Sequence, residues 1–293
     1  MTKPIYSYAK GEYIPTDEVS INVSQDMLGT FRGYRIFTAC RTLNHGNVFR
    51  LNKHIERLFY SAKILEMQLP HSPTTLQRII LRLVKKNLAV GDMLLQIMYS
   101  GGTPAPGTMV QKHPAHLYIL AFPLTIPSAE WYQNGIALAT FVYQREWPEV
   151  KLLSYVGGVI ANQTVVKHHK ANDALFISPL DNQTILEGTT FSIFAVNNNG
   201  HLLTPPLDGK ILDGISRKVI IDLARSNRLQ LSEKTITLNT LNKMKEMFFV
   251  SSTRNVVPVV RVDKQRIGDG KPGQLTNYIG ELLNSYQKSY TNK

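Results

Sequence analysis

A lysine followed by two leucines joins a predicted strand to a predicted helix in the segment Lys151-Leu152-Leu153-Ser154-Tyr155. The periods of the apolar residues predict the strand over 136–143 and the helix over 155–169. Apolar neighbours would desolvate the Lys151 amine and lower its pKa, which favours the uncharged, nucleophilic form. An exposed lysine in front of a helix is the alternative, and the segment alone leaves both interpretations open.

The chain before this segment predicts a mixed α/β domain. Short strand-like runs give way to apolar residues at helical spacing from Leu51 to Leu65, and Pro70 closes that helix. Ser72-Pro73 supplies an N-cap and a first-position proline for the next helix. The predicted elements are strands at 5–8, 12–15 and within 31–50 with a turn at 44–47, helices at 51–65 and from 73, and strands at 93–99 and 117–122.

Two prolines within 123–127 predict a linker between domains. The sequence beyond it again mixes the two periods, and Asn197-Asn198-Asn199-Gly200 is typical of a hairpin turn. The predicted elements there are strands at 136–143, 174–177, 184–186, 192–196, 247–251 and 256–262, and helices at 155–169 and 216–225. We therefore predict an N-terminal α/β domain over 1–122, a linker over 123–127, and a C-terminal α/β domain over 128–293 that carries Lys151.

Composition and charge exclude several classes of protein. Of 293 residues, 43% are hydrophobic and 18% charged, which excludes a disordered chain or a coiled coil. The formal charge of +12 is scattered, and its denser groups fit solvent-exposed helix faces. Neither a nucleic-acid-binding signature nor a cluster with metal-ligand spacing is present, so we expect neither nucleic acid nor a metal. Without an apolar run of membrane-spanning length or a signal-peptide core near the first residues, we expect a cytoplasmic protein with no membrane partner.

Four further segments complete an ordered pattern with 151–155. They are His54-Ile55-Glu56-Arg57-Leu58, Leu186-Glu187-Gly188-Thr189, Leu212-Asp213-Gly214-Ile215-Ser216-Arg217 and Val250-Ser251-Ser252-Thr253. The set resembles the class IV aminotransferases, the fold type IV enzymes that use pyridoxal 5′-phosphate. That family includes branched-chain aminotransferases, D-amino acid aminotransferases and aminodeoxychorismate lyases. The resemblance covers nearly the whole chain and implies a two-domain α/β homodimer with the cofactor between the domains.

The resemblance gives three residues roles at the reactive end of the cofactor. Lys151 would form the Schiff base and shuttle a proton, and the Tyr155 hydroxyl would bind the phenolate oxygen. Glu187 would face the pyridine nitrogen, where a carboxylate keeps that nitrogen protonated and strengthens the electron sink. By residue chemistry alone, Tyr155 could be a packing aromatic and Glu187 an exposed turn residue. The family usually has Ser and Asn where this chain has Phe191 and Ser192.

The phosphate site is implied at the start of a predicted helix. Free backbone N–H groups and the helix dipole favour an anion there. The resemblance implies that Ile215 and Ser216 bind the phosphate, that Thr253 adds a hydroxyl, and that Arg57 adds a fork-shaped cation. Ordinary N-capping by Ser216 is the alternative, and Arg57 could lie on a plain polar helix face.

The substrate-binding residues depart from each relative. In Phe37-Thr38-Ala39, Thr38 replaces the usual glutamate; this resembles the F-T-T pattern of the lyases, but Ala39 replaces their second threonine. Ser251-Ser252-Thr253 instead resembles D-amino acid aminotransferases, yet Tyr99 stands where those enzymes carry an arginine anchor for the substrate.

Three arginines remain as candidate carboxylate anchors. Arg254 follows Thr253 where the family typically has a small or hydroxyl residue, and it could clamp a carboxylate or point to solvent. Arg32 and Arg35 could lie near the entrance, or be outward residues of a strand.

Two enzymatic activities therefore stay open. The first is transamination between an amino acid of D- or branched-chain type and a 2-oxo acid. The second is cleavage of aminodeoxychorismate to pyruvate and 4-aminobenzoate. Ala39 and Tyr155 favour transamination, whereas Thr38 and Ser100-Gly101-Gly102 keep the lyase open. A basic binding module without catalysis is the third hypothesis.

Overall fold

The computed structural model describes residues 4–44 and 46–291, so His45 of the predicted turn at 44–47 lies outside the described residues. The chain divides into two compact units. Among the described residues, the first unit comprises 4–125, 150–154 and 287–291, and the second comprises 126–149 and 155–286. Each unit mixes helices and strands, which confirms the predicted mixed α/β class.

The first unit is an antiparallel sheet covered by helices. Its elements are strands β1 (Tyr6–Ala9), β2 (Glu12–Pro15), β3 (Arg35–Leu43), β4 (Asn47–Val48), β5 (Met93–Ser100) and β6 (His116–Pro123), and helices α1 (Met27–Arg32), α2 (Leu51–Ile64) and α3 (Pro73–Lys86). The strand order is β2-β1-β6-β5-β3-β4. The strand predicted within 31–50 begins later than expected, because Phe31 and Arg32 end α1 and Gly33 closes that helix at φ +68°.

The apolar residues that recur at helical spacing in α2 and α3 form part of the core of this unit. Leu58 of α2 and Ile80 of α3 are fully buried, and they pack with Ile36 and Ile97 of the sheet. Burying such a side chain contributes about 1.5–3 kcal/mol, so these two stripes fix both helices on the sheet. The predicted cap is confirmed: the Ser72 hydroxyl accepts a hydrogen bond from the Thr75 amide at 3.2 Å.

The segment 150–154 belongs to the first unit through backbone pairing. The Phe37 amide donates to the Lys151 carbonyl at 3.0 Å, and the Leu153 amide donates to the Arg35 carbonyl at 3.0 Å. Val150 is fully buried in the same core. Lys151 therefore lies in the first unit, whereas the sequence placed it within 128–293. The prolines of 123–127 mark a change in composition, but they carry no information about this long-range pairing.

The second unit is a larger mixed sheet with helices. Its elements are helix α4 (Ala129–Gln133), strand β7 (Ile136–Val142), helix α5 (Val156–Ala161), strands β8 (Asp173–Ile177), β9 (Ile185–Gly188), β10 (Ser192–Asn197) and β11 (Leu202–Thr204), helix α6 (Ile215–Ser226), strands β12 (Leu231–Glu233), β13 (Met244–Ser251), β14 (Asn255–Val262) and β15 (Gln265–Arg266), and helix α7 (Gln274–Lys288). The order is β12-β11-β10-β13-β14-β7-β8-β9, and β15 pairs with β14. β7 runs parallel to both β14 and β8.

Two predictions for this unit have different outcomes. The hairpin at 197–200 is confirmed, because β10 and β11 pair antiparallel across Gly200, whose φ is +76°. The helix predicted over 155–169 is interrupted: α5 ends at Ala161 and a wider π-helical turn follows over Asn162–Val166. Among the described residues, no helix combines the length and the apolar character needed to cross a bilayer.

Candidate active site

Lys151 is anchored on both sides of its peptide in the first unit. Its amide donates to the Ser61 hydroxyl of α2 at 3.2 Å, and its carbonyl accepts from Phe37 of β3. The side chain is half-buried, and Nζ lies 4.9 Å from the centre of the Phe37 ring. The backbone of Lys151 is thus fixed by hydrogen bonds, and cation–π attraction to the Phe37 ring orients its side-chain amine.

A polar cluster joins β3 to α2 beneath this lysine. Arg57 Nη2 donates to Thr38 Oγ1 at 3.0 Å, and the same oxygen lies 2.7 Å from His54 Nδ1. Thr38 and His54 are fully buried. Because successive strand residues point to opposite faces, Thr38 faces α2 whereas Phe37 faces away from it. Two of the predicted residues, Arg57 and Thr38, are thus directly bonded, and His54 is a partner that the sequence did not single out.

The His54 imidazole is held neutral. Burial, and then the charges of Arg57 and Lys151, lower its pKa well below the ordinary value of 6.5. Among the described residues, its buried Nε2 has no hydrogen-bond partner. A protonated ring here would add a third positive charge to a buried site beside two cations.

Tyr99 does not occupy an accessible position. Its side chain is fully buried in the core of the first unit, with its hydroxyl 3.4 Å from His71 Nδ1, and burial raises its pKa. The sequence-based expectation of substrate contact at Tyr99 is therefore corrected: strand alternation turns β5 so that Tyr99 packs with Leu95 and Ile97.

The two entrance arginines have different surroundings. Arg35 is fixed internally, with Nη2 donating to Asp26 at 2.7 Å and Nε donating to Ser100 at 2.8 Å. Arg32 is exposed at the end of α1, where it lines a groove together with Met27, Phe31 and Met109. Arg35 is therefore the ion-pair partner of Asp26 inside the first unit and does not have the entrance position that the sequence left open.

In the second unit, Glu187 is a buried carboxylate with a charged partner. It lies on β9, and Arg145 Nε donates to its Oε1 at 2.8 Å. The Leu212 amide donates to Oε2 at 3.3 Å. The alternative of an exposed turn glutamate is excluded by its exposure of 7%. Arg145 went unnoticed in the sequence because no local motif marks it.

Phe191 shows why this chain departs from the usual residues after Glu187. Its ring stacks on Phe249 at a centroid distance of 4.2 Å. A Cβ on Gly188 would lie 2.0 Å from the same ring, so the glycine is required by this packing. The aromatic pair fills the space beneath the turn that follows β9.

The beginning of α6 has the donor set of an anion site. Its N-cap is Gly214, so Ser216 stands inside the first turn and does not cap the helix. The Ser216 hydroxyl lies 3.4 Å from the Ser252 hydroxyl of the turn after β13. A Cβ on Gly214 would lie 2.7 Å from Ser192 Oγ, so the glycine allows the start of β10 to approach the N-cap of α6. Amides at a helix N-terminus together with hydroxyl groups fit a phosphate.

Tyr155 and Thr253 also lie in the second unit. Tyr155 is half-buried and directly precedes α5, whose Gly157 and Gly158 allow close packing on Tyr143 and Thr189. Thr253 is half-buried in the turn between β13 and β14, next to Ser252. The second unit therefore holds Tyr155, Glu187, Ile215, Ser216 and Thr253, whereas the first holds Lys151 and Arg57.

Arg254 is bonded inside the second unit. Its Nη1 donates to Asp173 at 2.9 Å, its Nη2 to the Thr190 hydroxyl, and its Nε to the Ser251 hydroxyl at 3.4 Å. The side chain is 16% exposed. The sequence left open a guanidinium that points to solvent or one that binds a substrate carboxylate. The structure instead shows it bonded to three side chains of the second unit. Sequence spacing could not reveal a partner as distant as Asp173.

Comparison with known proteins gives a consistent result. The family model described as amino-transferase class IV matches residues 35–262. A D-alanine aminotransferase of Staphylococcus haemolyticus is 28% identical over 286 residues, which is 96% of this chain and 98% of the relative. Among solved structures, the branched-chain amino acid aminotransferase of Escherichia coli has a TM-score of 0.88 at 24% identity, covering 99% of this chain and 97% of that one. An aminotransferase from Brucella abortus, solved with the cofactor PLP, has a TM-score of 0.84 at 21% identity, covering 98% and 100%.

The neutral His54 predicts a measurable pH dependence of stability. Because its pKa is lowered in the folded state, the unfolded chain takes up a proton below about pH 6.5 that the folded chain does not, so stability falls as pH falls. Between pH 7 and pH 5, we expect this residue to remove up to about 2 kcal/mol from the free energy of unfolding. Urea unfolding of the parent and of His54→Asn at both pH values measures the difference.

His169→Asn, at an exposed position, is the matched control and should keep the parent's pH dependence. An equal pH dependence in the parent and in His54→Asn would contradict the assignment of a neutral imidazole.

Proposed function

The chain belongs to the class IV aminotransferases, since their family model matches residues 35–262, and we propose that it moves the amino group of an amino acid to a 2-oxo acid with pyridoxal 5′-phosphate as cofactor. The proposed amino donor is of D-alanine or branched-chain type, the classes named for its relatives. The observation that carries the proposal is that one family match includes the anchored Lys151, the buried Glu187 and the open N-terminus of α6.

The residues present fit the cofactor. When bound, pyridoxal phosphate supplies an aldehyde that combines with amines and a ring that withdraws electrons from the substrate. The Glu187 carboxylate, which is paired with Arg145, can accept a hydrogen bond from a protonated ring nitrogen. Ile215 and Ser216 offer helix N-terminal amides for the phosphate, with hydroxyls from Ser216 and Thr253. Arg57 adds a fork-shaped cation from α2.

Lys151 is the proposed catalytic residue. Its amine holds the cofactor and moves a proton at the α-carbon of the substrate. The hydrogen bonds on both sides of its peptide keep the Lys151 backbone in register with β3, so little backbone entropy remains to be lost during the reaction. The proposed role of Tyr155 is to donate its hydroxyl to the phenolic oxygen of the cofactor.

Two features of β3 support transamination over the lyase reaction. The Thr38 hydroxyl is engaged by Arg57 and His54, and position 39, which holds the second threonine of the lyase pattern, is an alanine. Phe37, beside the Lys151 amine, is the proposed apolar contact for the substrate side chain. An apolar contact of this kind suits alanine or a branched-chain residue.

We further propose that the protein is a homodimer. In the first unit, Met27, Phe31, Met109 and Val110 are 45%, 62%, 74% and 66% exposed, and all but Val110 line one groove. Large apolar side chains gathered at one surface mark an interaction site, and the homodimer expected of the family gives a second copy of this chain as its occupant. A two-fold contact would bury the same patch on both chains.

One prediction from the proposed function concerns turnover and the amino donor. The purified protein should show a visible cofactor band that changes on adding either D-alanine or L-leucine, with formation of the matching 2-oxo acid. Lys151→Ala should lose the band and lower turnover at least about 100-fold, the smaller end of what general acid–base groups contribute. Lys53→Ala, an exposed lysine of the same unit, is the control and should keep both. Release of 4-aminobenzoate from aminodeoxychorismate, with no change on adding amino acids, would contradict transamination.

Another prediction concerns the proposed dimer. Light scattering should give the mass of two 33.0 kDa chains for the parent, and Phe31→Lys should shift it toward one chain by placing a charge in the apolar contact. Leu180→Lys, at an 81% exposed position of the second unit, is the matched control and should leave the mass unchanged. A monomeric parent would rule out the proposed interface.

A further inference from the structure

We propose that Arg254 is a positioning residue that fixes the phosphate-binding turn of the second unit relative to the segment that carries Glu187. The inference rests on the proposed function, because it assigns a purpose to this arginine only if a cofactor binds these groups. It goes beyond the family pattern, in which a small or hydroxyl residue is usual at this place.

The guanidinium of Arg254 connects three separate parts of the second unit. Nη1 reaches Asp173 at the start of β8, at 2.9 Å. Nη2 reaches the hydroxyl of Thr190, three residues beyond Glu187. Nε and the backbone amide both reach Ser251, at 3.4 and 3.2 Å, which closes the turn that contains Ser252 and Thr253.

Further contacts hold both ends of this connection. The guanidinium carbon lies 4.6 Å from the centre of the Phe249 ring and 5.1 Å from that of Phe191, so the cation is supported on an aromatic stack. The carbonyl of Arg254 accepts from the Tyr132 hydroxyl at 2.9 Å. Asp173 in turn accepts from the Thr189 hydroxyl at 2.7 Å, which ties the same carboxylate to the segment after Glu187.

The proposed cofactor has a rigid ring and a short phosphate arm, so it requires a fixed distance between the groups that bind its two ends. One end of such a molecule needs the Glu187 carboxylate and the other needs the hydroxyls beside α6, so the separation of the two sites must match the ligand. Arg254 sets the position of both the 189–190 segment and the 252–253 turn before any ligand arrives. Preorganisation of this kind raises affinity, because the ordering cost is met in folding and not in binding.

A lysine could not replace this arginine. Its ammonium is one point charge, whereas the guanidinium directs donors to Asp173, Thr190 and Ser251 at the same time. Removing the guanidinium also leaves the Asp173 carboxylate, 9% exposed, without its charge partner. The two effects can be separated by neutralising Asp173 as well.

The experiment measures cofactor affinity on apoenzyme. Parent, Arg254→Lys, Arg254→Met and the double variant Asp173→Asn with Arg254→Met are titrated with pyridoxal phosphate, and the Tm of each apoenzyme is recorded. We expect Arg254→Met to raise the Kd about 10–100-fold, the equivalent of losing charge-assisted hydrogen bonds. The Kd of Arg254→Lys should lie between those of the parent and of Arg254→Met. The double variant should recover Tm, since no buried charge is unpaired, but should keep the weak Kd.

Arg261→Met is the matched control, because Arg261 lies near the far end of β14, the strand that directly follows Arg254, and donates to backbone carbonyls. It should keep the parent's Kd. A parent-like Kd in Arg254→Met or in the double variant, titrated well below their Tm, would overturn the positioning role and leave only a structural one. A parent that binds no pyridoxal phosphate would overturn the proposed function, and this inference with it.

Discussion

The pairing of 150–154 with β3 is the contact on which the proposed chemistry depends. One backbone hydrogen bond on each side of the Ile36–Leu152 bridge holds Lys151 beside Phe37, and the Ser61 hydroxyl holds its amide. A lysine on an unpaired loop would sample many positions, and ordering it would cost about 1–2 kcal/mol per residue. Here that cost is met when the first unit folds. The result is a loop lysine whose backbone has the fixed position of a strand residue.

The buried charged residues of each unit are paired or have a neutral neighbour. Glu187 is bonded to Arg145 and Asp173 to Arg254, so each of these buried carboxylates has a charged partner. In the first unit the neighbour of Arg57 and Lys151 is the neutral His54, which adds no charge of its own. Fixed charges and dipoles of this kind need no reorganisation during a reaction.

Local patterns in the sequence predicted much of this structure, and long-range contacts account for what was missed. The helical stripes of α2 and α3, the cap at Ser72 and the turn at Gly200 depend on residues a few positions apart, and all are present. Helix α7 was missed because Glu246, some thirty residues earlier, caps its start. The same limit applies to the site: no spacing rule links Lys151 to β3, Arg145 to Glu187 or Arg254 to Asp173. Tyr99 was misjudged because a motif aligns positions and does not say which face of a strand is buried.

The most direct test is to locate the lysine that carries the cofactor. Borohydride reduction of the protein loaded with pyridoxal phosphate fixes a pyridoxyl group on that lysine, and peptide mass spectrometry then identifies it. We expect a single modified peptide containing Lys151, and we expect an amino donor added before reduction to remove the label. A label on any other lysine, or no label at all, would contradict the assignment of Lys151.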